Sequence, residues 1–215
     1  MLVSIIVTNF NYGKYLKQCL DSCFNQTFSK KKYEVILIDD NSTDGSQKIA
    51  QKYIKKKNFH FIKNKKNVGV AASSNIGIIN SKGFFFVRVD SDDYINKNFV
   101  KFLYEYTQQK KSSLGVTSDY YYFYSKEKKL DKINYKNKPI SCGVMYNKKK
   151  LLKLGLYNNK FKHREEEELR KRLGKKYILK NLNKTLYYYR MHKNNKTKNK
   201  NSMKNFKTKL SKIYN

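Results

Sequence analysis

The sequence of 215 residues has no tryptophan, one proline, three cysteines and only 16 acidic residues. Three cysteines, at Cys19, Cys23 and Cys142, cannot make a fully paired disulfide framework, which excludes a disulfide-stapled secreted fold. No apolar run approaches the roughly 18 to 20 residues that cross a bilayer, and no signal peptide precedes the first predicted strand. We therefore expect a reduced, cytoplasmic protein whose contact with a membrane, where it exists, is peripheral and on the inner face of the cell membrane.

The scarcity of acids leaves a formal net charge of +32, carried almost entirely by lysine. Two interpretations of this charge stay open. Lysine, asparagine, isoleucine, tyrosine and phenylalanine are abundant and have A/T-rich codons, so genomic base composition is one explanation. The other is an anionic partner, either a membrane surface or a phosphorylated substrate. Nucleic acid is the weaker candidate, because the lysines are scattered and no zinc-finger, RNP-like or recognition-helix motif is present.

The most informative segment is an apolar run, residues 84–89, that ends in three carboxylates at Asp90, Asp92 and Asp93. An aromatic and β-branched run predicts a buried strand, so the acids lie at its carboxyl end, where open α/β sheets bind ligands. Three like charges there indicate a divalent cation, Mn²⁺ or Mg²⁺, which can also hold nucleotide phosphates. The alternative is that Asp90 or Asp92 caps a helix that begins at Tyr94.

The first half of the chain alternates predicted strands with predicted helices. The strands cover residues 2–7, 33–38, 59–62 and 83–89, and the helices cover residues 15–23, 47–55 and 71–80. Right-handed crossovers of this kind build a parallel sheet, so the polar clusters at 8–11, 39–42 and 90–93 should meet at one edge. Such clusters suit a nucleotide, although the glycine-rich fingerprints of P-loop and dinucleotide folds are absent.

The second half is predicted less regularly. We expect a helix over residues 99–106, a strand pair or a strand and turn over 114–124, and a strand over 140–146. Four consecutive glutamates at 165–168 stand out in a chain with so few acids. By themselves they are typical of a solvated helix start, where glutamates meet the positive end of the dipole and pair with Arg170 and Arg172.

The last segment, residues 193–215, is rich in lysine and asparagine and polar enough to be disordered. Met203, Phe206, Leu210 and Ile213 nevertheless recur at helical spacing. Two alternatives remain for such a helix: it lies on anionic lipid, or it packs on its own domain or on another subunit.

Taken together, the N-terminal motifs resemble the family 2 glycosyltransferases of the GT-A fold. The resemblance rests on residues 4–11, 35–46, 67–69 and 89–93 and on Asn75, in this order and spacing. It implies an α/β GT-A fold, with a Rossmann-like, mostly parallel central sheet flanked by helices and a smaller C-terminal acceptor region. Residues 1–98 would form the nucleotide-sugar half, residues 99–192 the half that binds the acceptor and holds the base, and residues 193–215 a basic tail.

The resemblance also implies roles for individual residues. The donor nucleotide would contact Thr8, Phe10, Asn11, Asp40, Asn67, Gly69, Asn75, Asp90 and Ser91. The metal ion, Mn²⁺ or Mg²⁺, would be held by Asp92 and Asp90 together with His192, which ends a segment similar to the family's Tyr-Arg-x-His.

The run at residues 165–173 is similar to the family pattern Glu-Asp-x-x-Leu-x-x-Arg-Leu, with Glu166 in the place of the catalytic aspartate. An inverting transfer needs such a carboxylate to remove a proton from the acceptor hydroxyl. Because glutamate replaces aspartate, Glu165 and Glu167 stay open as alternative bases.

The resemblance implies metal-dependent, inverting transfer of a sugar from a nucleotide-sugar donor, which would be UDP-linked. The acceptor would be a hydroxyl of a glycan or of a lipid-linked molecule. The reaction would belong to surface polysaccharide or glycoconjugate biosynthesis. Further expected partners are an anionic membrane surface and a second copy of the chain. Two alternatives are kept: a nucleotidyltransferase that attacks phosphorus on a similar α/β core, and a basic nucleic-acid-binding module, which would not need residues 90–93.

Overall fold

A computed structural model of the chain describes residues 1–124, 127–193, 195 and 200–214. The strands are β1 (Val3–Asn9), β2 (Tyr33–Asp39), β3 (Phe59–Lys63), β4 (Phe85–Asp90), β5 (Tyr94–Ile95), β6 (Gly115–Tyr124), β7 (Lys129–Ile133), β8 (Met145–Asn147) and β9 (Leu179–Met191). The helices are α1 (Gly13–Phe24), α2 (Ser46–Gln51), α3 (Val70–Asn80), α4 (Phe99–Gln109), α5 (Lys148–Leu154), α6 (Glu165–Leu173) and α7 (Lys200–Tyr214).

All these strands belong to one sheet, in the order β3-β2-β1-β4-β8-β6-β9-β5, with β7 paired to β6. The first four strands are parallel, as the alternating pattern predicts. β8 then joins antiparallel to β4 and to β6, while β9 runs parallel to β6. The carboxyl ends of β1, β2 and β4 therefore meet at one edge, which brings the three polar clusters together.

Side chains of each central strand alternate between two hydrophobic cores on opposite faces of the sheet. In β1, Ile5 and Val7 belong to the core under α1 and α4, whereas Ile6 belongs to the core under α3, α5 and α6. Cys19 and Cys23 on α1 are fully buried in the first of these cores. Coverage of both faces explains why the strands are continuous apolar runs.

The helix-capping alternative for the acidic cluster is wrong. Tyr94 and Ile95 form β5, which pairs antiparallel with β9, and helix α4 begins only at Phe99. Neither Asp90 nor Asp92 therefore stands at a helix start. The predicted strand at 140–146 is also mostly loop, because Gly143 turns the chain with a φ of +74° and its N–H donates to the Arg88 carbonyl at 2.8 Å. The predicted helix at 47–55 ends at Gln51.

Most of the described part of the basic tail is helix α7, which packs on its own domain. Leu210 is 1% exposed, and the Phe206 ring lies 6.0 Å from that of Phe161 and 5.5 Å from that of His163. The Tyr214 hydroxyl donates to Glu168 at 2.6 Å. These contacts favour packing within the domain over a helix laid on lipid. Residues 194, 196–199 and 215 of the predicted tail lie outside the described residues.

Among the described residues, no helix combines the length and the apolar character that crossing a membrane requires.

Candidate active site

A cavity opens at the carboxyl ends of β1, β2 and β4. Thr8, Phe10, Asp40 and Ser91 contribute to one part of its wall, and Glu166 contributes to the other. Thr8 lies at the end of β1, and Phe10, Asp40 and Ser91 lie in the loops that follow the parallel strands, whereas the glutamate comes from the start of α6. Two distant parts of the chain therefore face the same space.

Hydrogen bonds hold the loops after β1 and β2 together. The Asn9 side-chain amide donates to Asp39 at 2.9 Å and to Ser42 at 3.0 Å. Asn11, with a φ of +57°, accepts from the Thr43 N–H at 2.8 Å. Asn11 is absent from the cavity wall, so its contacts are those of a loop brace, and its role at the donor stays a prediction.

Asp40 is a buried carboxylate held at the cavity wall by three donors. Its Oδ1 accepts from the Asn64 amide at 2.8 Å and from the Val68 N–H at 2.9 Å, and its Oδ2 accepts from the Gly69 N–H at 2.8 Å. The turn at Gly69 therefore orients Asp40. Asn67 is exposed in the same turn and does not line the cavity.

Asn75 on α3 forms its hydrogen bonds outside the cavity. Its amide donates to the Tyr157 carbonyl at 2.8 Å and to Asn159 at 2.9 Å, and its oxygen accepts from the Tyr157 N–H at 3.1 Å. The structure thus places Asn75 as a link between α3 and the loop before α6, outside the cavity wall.

The acidic cluster after β4 divides into members with different surroundings. Asp90 pairs with the Arg88 guanidinium at 3.0 Å. The buried hydroxyl of Ser91, on the cavity wall, has no hydrogen-bond partner among the described residues. Asp92 Oδ2 lies 2.9 Å from His192 Nε2 just beyond β9, so the predicted metal ligands Asp92 and His192 do meet.

Asp93 is a structural member of the cluster. It is fully buried and accepts hydrogen bonds from the Tyr187 hydroxyl at 2.7 Å and the Arg190 N–H at 2.8 Å. Ligand atoms of Asp90, Asp93 and Cys142 also lie within 4.8 Å of one another. Burial raises the pKa of the Cys142 thiol, however, and this thiol donates to Asp93 at 3.7 Å. Because a metal binds the thiolate and Asp93 is already occupied, Asp92 and His192 are the better donor set.

Each of the four glutamates at the start of α6 has its own partner. Glu165 pairs with Arg88 at 2.8 Å, Glu167 pairs with Arg164, and Glu168 pairs with Arg172 at 2.9 Å. The predicted pairing with Arg172 is therefore confirmed for Glu168, but the predicted solvated helix start is wrong, because Glu165, Glu166 and Glu168 are buried.

Glu166 differs from its neighbours because its partners are neutral. Its Oε1 accepts from the hydroxyls of Tyr146 and Tyr177, and its Oε2 is buried with no hydrogen-bond partner among the described residues. Burial raises the pKa of Glu166, although both phenols and the Arg88 charge oppose this rise. A carboxylate with a raised pKa and an unpaired oxygen at a cavity is suited to accept a proton.

Sequence reasoning missed Arg88. It lies on β4, is 3% exposed, and contacts Asp90, Glu165 and the Ser141 hydroxyl, the last at 2.7 Å. The signal was an arginine inside an apolar run, because a buried charge needs a paired acid. His163 also lines the cavity.

Comparison with known proteins gives a consistent picture. The sequence profile of glycosyl transferase family 2 matches residues 4–175. Glycosyltransferase GlyG of Streptococcus pneumoniae is 35% identical over 122 residues, which cover 56% of this chain and 40% of GlyG. Poly(ribitol-phosphate) beta-N-acetylglucosaminyltransferase TarS of Staphylococcus aureus is 38% identical over 102 residues, which cover 47% of this chain and 18% of TarS. The chain thus spans less than half the length of either relative.

Solved structures share the fold. The structure of S. aureus TarS 1–349 in complex with UDP has a TM-score of 0.76 at 24% identity. The match covers 89% of this chain and 61% of the TarS chain. Mannosyltransferase PcManGT from Pyrobaculum calidifontis, in complex with GDP-Man and Mn²⁺, has a TM-score of 0.72 at 15% identity. This match covers 89% of this chain and 57% of the PcManGT chain. The predicted GT-A fold is confirmed.

Proposed function

Because the chain belongs to glycosyl transferase family 2, we propose that it transfers a sugar from a UDP-linked donor to a hydroxyl of a glycan or lipid-linked acceptor, with inversion, in the synthesis of a surface polysaccharide or glycoconjugate. The observation that carries the proposal is the cavity faced by two kinds of carboxylate: Asp90 and Asp92 at the end of β4, and Glu166 at the start of α6. Asp90 and Asp92 suit a divalent ion that holds the donor phosphates, and Glu166 suits the acceptor hydroxyl.

The donor side of the cavity has groups that fit a nucleoside. The buried Asp40 carboxylate can accept from the N3–H of a uracil, and the unpaired Ser91 hydroxyl fits a ribose hydroxyl. Thr8 and Phe10 line the same cavity. The choice of UDP is supported by TarS, whose solved structures contain UDP or UDP-GlcNAc.

A divalent ion fits the pair formed by Asp92 and His192. Their carboxylate oxygen and imidazole nitrogen are 2.9 Å apart, both side chains are 11% exposed, and such a donor set suits Mn²⁺. Asp90 is the third candidate ligand. An ion held there would stabilise the negative charge that grows on the departing phosphate. PcManGT, solved with Mn²⁺, supports this choice of metal.

The reaction then follows from the position of Glu166. The acceptor hydroxyl gives its proton to the Glu166 carboxylate while its oxygen bonds to the anomeric carbon of the sugar. The bond from that carbon to the phosphate oxygen breaks, and its electron pair leaves with UDP. Attack on the face opposite the leaving group inverts the anomeric configuration.

The setting we propose is cytoplasmic, since the three cysteines are free thiols. Acceptors carried on lipid would bring the protein to a membrane surface. Nothing in the comparisons supports a nucleotidyltransferase or a nucleic-acid-binding module.

The test is calorimetric titration of the protein with UDP, GDP and CDP, each with Mn²⁺ and with EDTA, on wild type and Asp92→Ala. We expect UDP to bind with Mn²⁺, and the binding to be lost in EDTA and in Asp92→Ala. Binding of GDP or CDP instead would change the donor base and keep the transferase. No binding of any of the three would overturn the proposal.

A further inference from the structure

Three oxygen atoms meet at one side of Glu166. The hydroxyls of Tyr146 and Tyr177 both contact Oε1 of Glu166, and they lie 2.8 Å from each other. Tyr146 belongs to β8 and is 1% exposed, whereas Tyr177 follows α6 and is partly exposed. Two elements that are separate in sequence therefore hold the same carboxylate oxygen.

The protons on the two tyrosine hydroxyls decide which form of Glu166 this arrangement stabilises. Burial and the Glu166 charge raise the pKa of both Tyr146 and Tyr177, so both phenols keep their protons. Two phenol protons are then available, and the ionised carboxylate can accept both. A neutral carboxyl would carry its proton on Oε2 and would accept the same two bonds at Oε1 more weakly, because it has no charge. Hydrogen bonding to the charged form favours ionisation, against the effect of burial.

We propose, on the basis of the function proposed above, that Tyr146 and Tyr177 are positioning residues for the base: they hold Oε1 of Glu166 and leave Oε2 for the acceptor hydroxyl. The unpaired, buried Oε2 is the second observation that points the same way. Glutamate has one more rotatable bond than aspartate and so more conformations to lose. The hydroxyls of Tyr146 and Tyr177 on Oε1 restrict the conformations of the longer Glu166 side chain, at a position where the family pattern has an aspartate.

Several other groups face Glu166, and removal of either hydroxyl leaves their charges unchanged. They are Arg88 from β4, Glu165 from α6, Tyr135 from the loop after β7 and Tyr157 from the loop after α5. Conversion of Tyr146 or Tyr177 to phenylalanine therefore removes one hydrogen bond to Glu166 together with the contact between the two hydroxyls, and it leaves the charged groups around the carboxyl in place.

The test is direct titration of Glu166 by NMR. Full-length protein labelled with carboxyl-¹³C glutamate is compared as wild type, Tyr146→Phe and Tyr177→Phe, and the Glu166 signal is assigned by its loss in Glu166→Gln. We expect the pKa of Glu166 to rise by about one unit for each hydroxyl removed, since a hydrogen bond to the carboxylate favours its ionised form.

A matched control removes a hydroxyl far from the cavity. Tyr33 is buried and its hydroxyl donates to the Phe24 carbonyl at 3.1 Å, so Tyr33→Phe should leave the titration of Glu166 unchanged. Thermal unfolding of each variant checks that the fold is kept. Because Tyr177 is partly exposed, Tyr177→Phe provides the test even if Tyr146→Phe does not fold.

A kinetic measurement links the titration to catalysis. The pH profile of UDP release from UDP-GlcNAc, used as the probe donor, should move its acid limb to higher pH in both variants. An unchanged pKa of Glu166 in both variants, or an equal shift in Tyr33→Phe, would overturn the proposal. If the wild type instead fails to bind or cleave any nucleotide sugar, the proposed function fails, while the NMR titration still decides whether the tyrosines control this carboxyl.

Discussion

Arg88 Nη1 lies 2.8 Å from Glu165 Oε1, and this ion pair joins the strand that carries the acidic cluster to the helix that carries Glu166. The same guanidinium is 3.0 Å from Asp90. One buried cation therefore neutralises acids from both parts of the cavity. Its removal would take this positive charge away from Asp90 and would leave Glu165 as a buried charge without its ion pair.

We predict that Arg88→Met destabilises the protein by about 3 to 5 kcal/mol, because loss of one partner of a buried pair leaves the other charge uncompensated. Urea unfolding measures the change. The double variant Arg88→Met/Glu165→Met should recover part of the loss. Lys17→Ala, which breaks the exposed Lys17–Asp21 pair, is the control and should cost less than about 1 kcal/mol. Equal costs for the two single variants would contradict the prediction.

We predict that His192→Ala weakens the affinity for UDP in Mn²⁺ by at least about tenfold, or 1.4 kcal/mol, and has no effect on any residual affinity in EDTA. The reason is that the imidazole beside Asp92 is a candidate ligand for the ion. Calorimetry measures both affinities. His60→Ala serves as the matched histidine control, since His60 pairs with Glu34 at 3.2 Å. Wild-type affinity of His192→Ala in Mn²⁺ would remove His192 from the metal site.

We predict that Glu166→Gln lowers kcat by about 10² to 10⁴ while nucleotide binding is retained, because the amide cannot accept the proton. Glu167→Gln should stay near wild type, since Glu167 pairs with Arg164. Steady-state kinetics and calorimetry separate the two effects. A large loss in Glu167→Gln with little loss in Glu166→Gln would move the base to Glu167.

The pH dependence of the wild type follows from the same carboxyl. Burial raises the pKa of Glu166, and a general base is active when it is deprotonated. Activity should therefore fall as the pH drops through this raised pKa, and the acid limb should lie above the usual range of glutamate. A limb that persists unchanged in Glu166→Gln would assign it to another group.

We predict that Leu210→Ala costs about 2 to 5 kcal/mol of stability, because this side chain of α7 is 1% exposed. Ile213→Ala on the same helix is the control, and it should cost less than about 0.5 kcal/mol because Ile213 is 52% exposed. Thermal unfolding compares the two. Similar small effects would mean that α7 does not pack on the domain in solution.

Much of the fold follows from local sequence patterns. The four parallel strands were predictable because each is a continuous apolar run followed by polar residues, and both faces of the sheet are covered. The short strand β5 was not, since Tyr94 and Ile95 form it only by pairing with Tyr188 and Tyr187. The loop over 140–144 likewise depends on the contact of Gly143 with Arg88.

Some features of the candidate site were likewise predictable from the sequence, and others were not. The sequence by itself determined the family, the alternation of parallel strands with helices and the edge at which Asp40, Asp90 and Asp92 lie, because those features follow from local patterns along the first half of the chain. Only the tertiary structure decided that Glu165 is paired with Arg88 while Glu166 keeps an unpaired oxygen, and that Asn75 braces a loop outside the cavity. The physical reason is that burial and ion pairing depend on which distant residues pack together, and four adjacent glutamates are alike until their surroundings make them different.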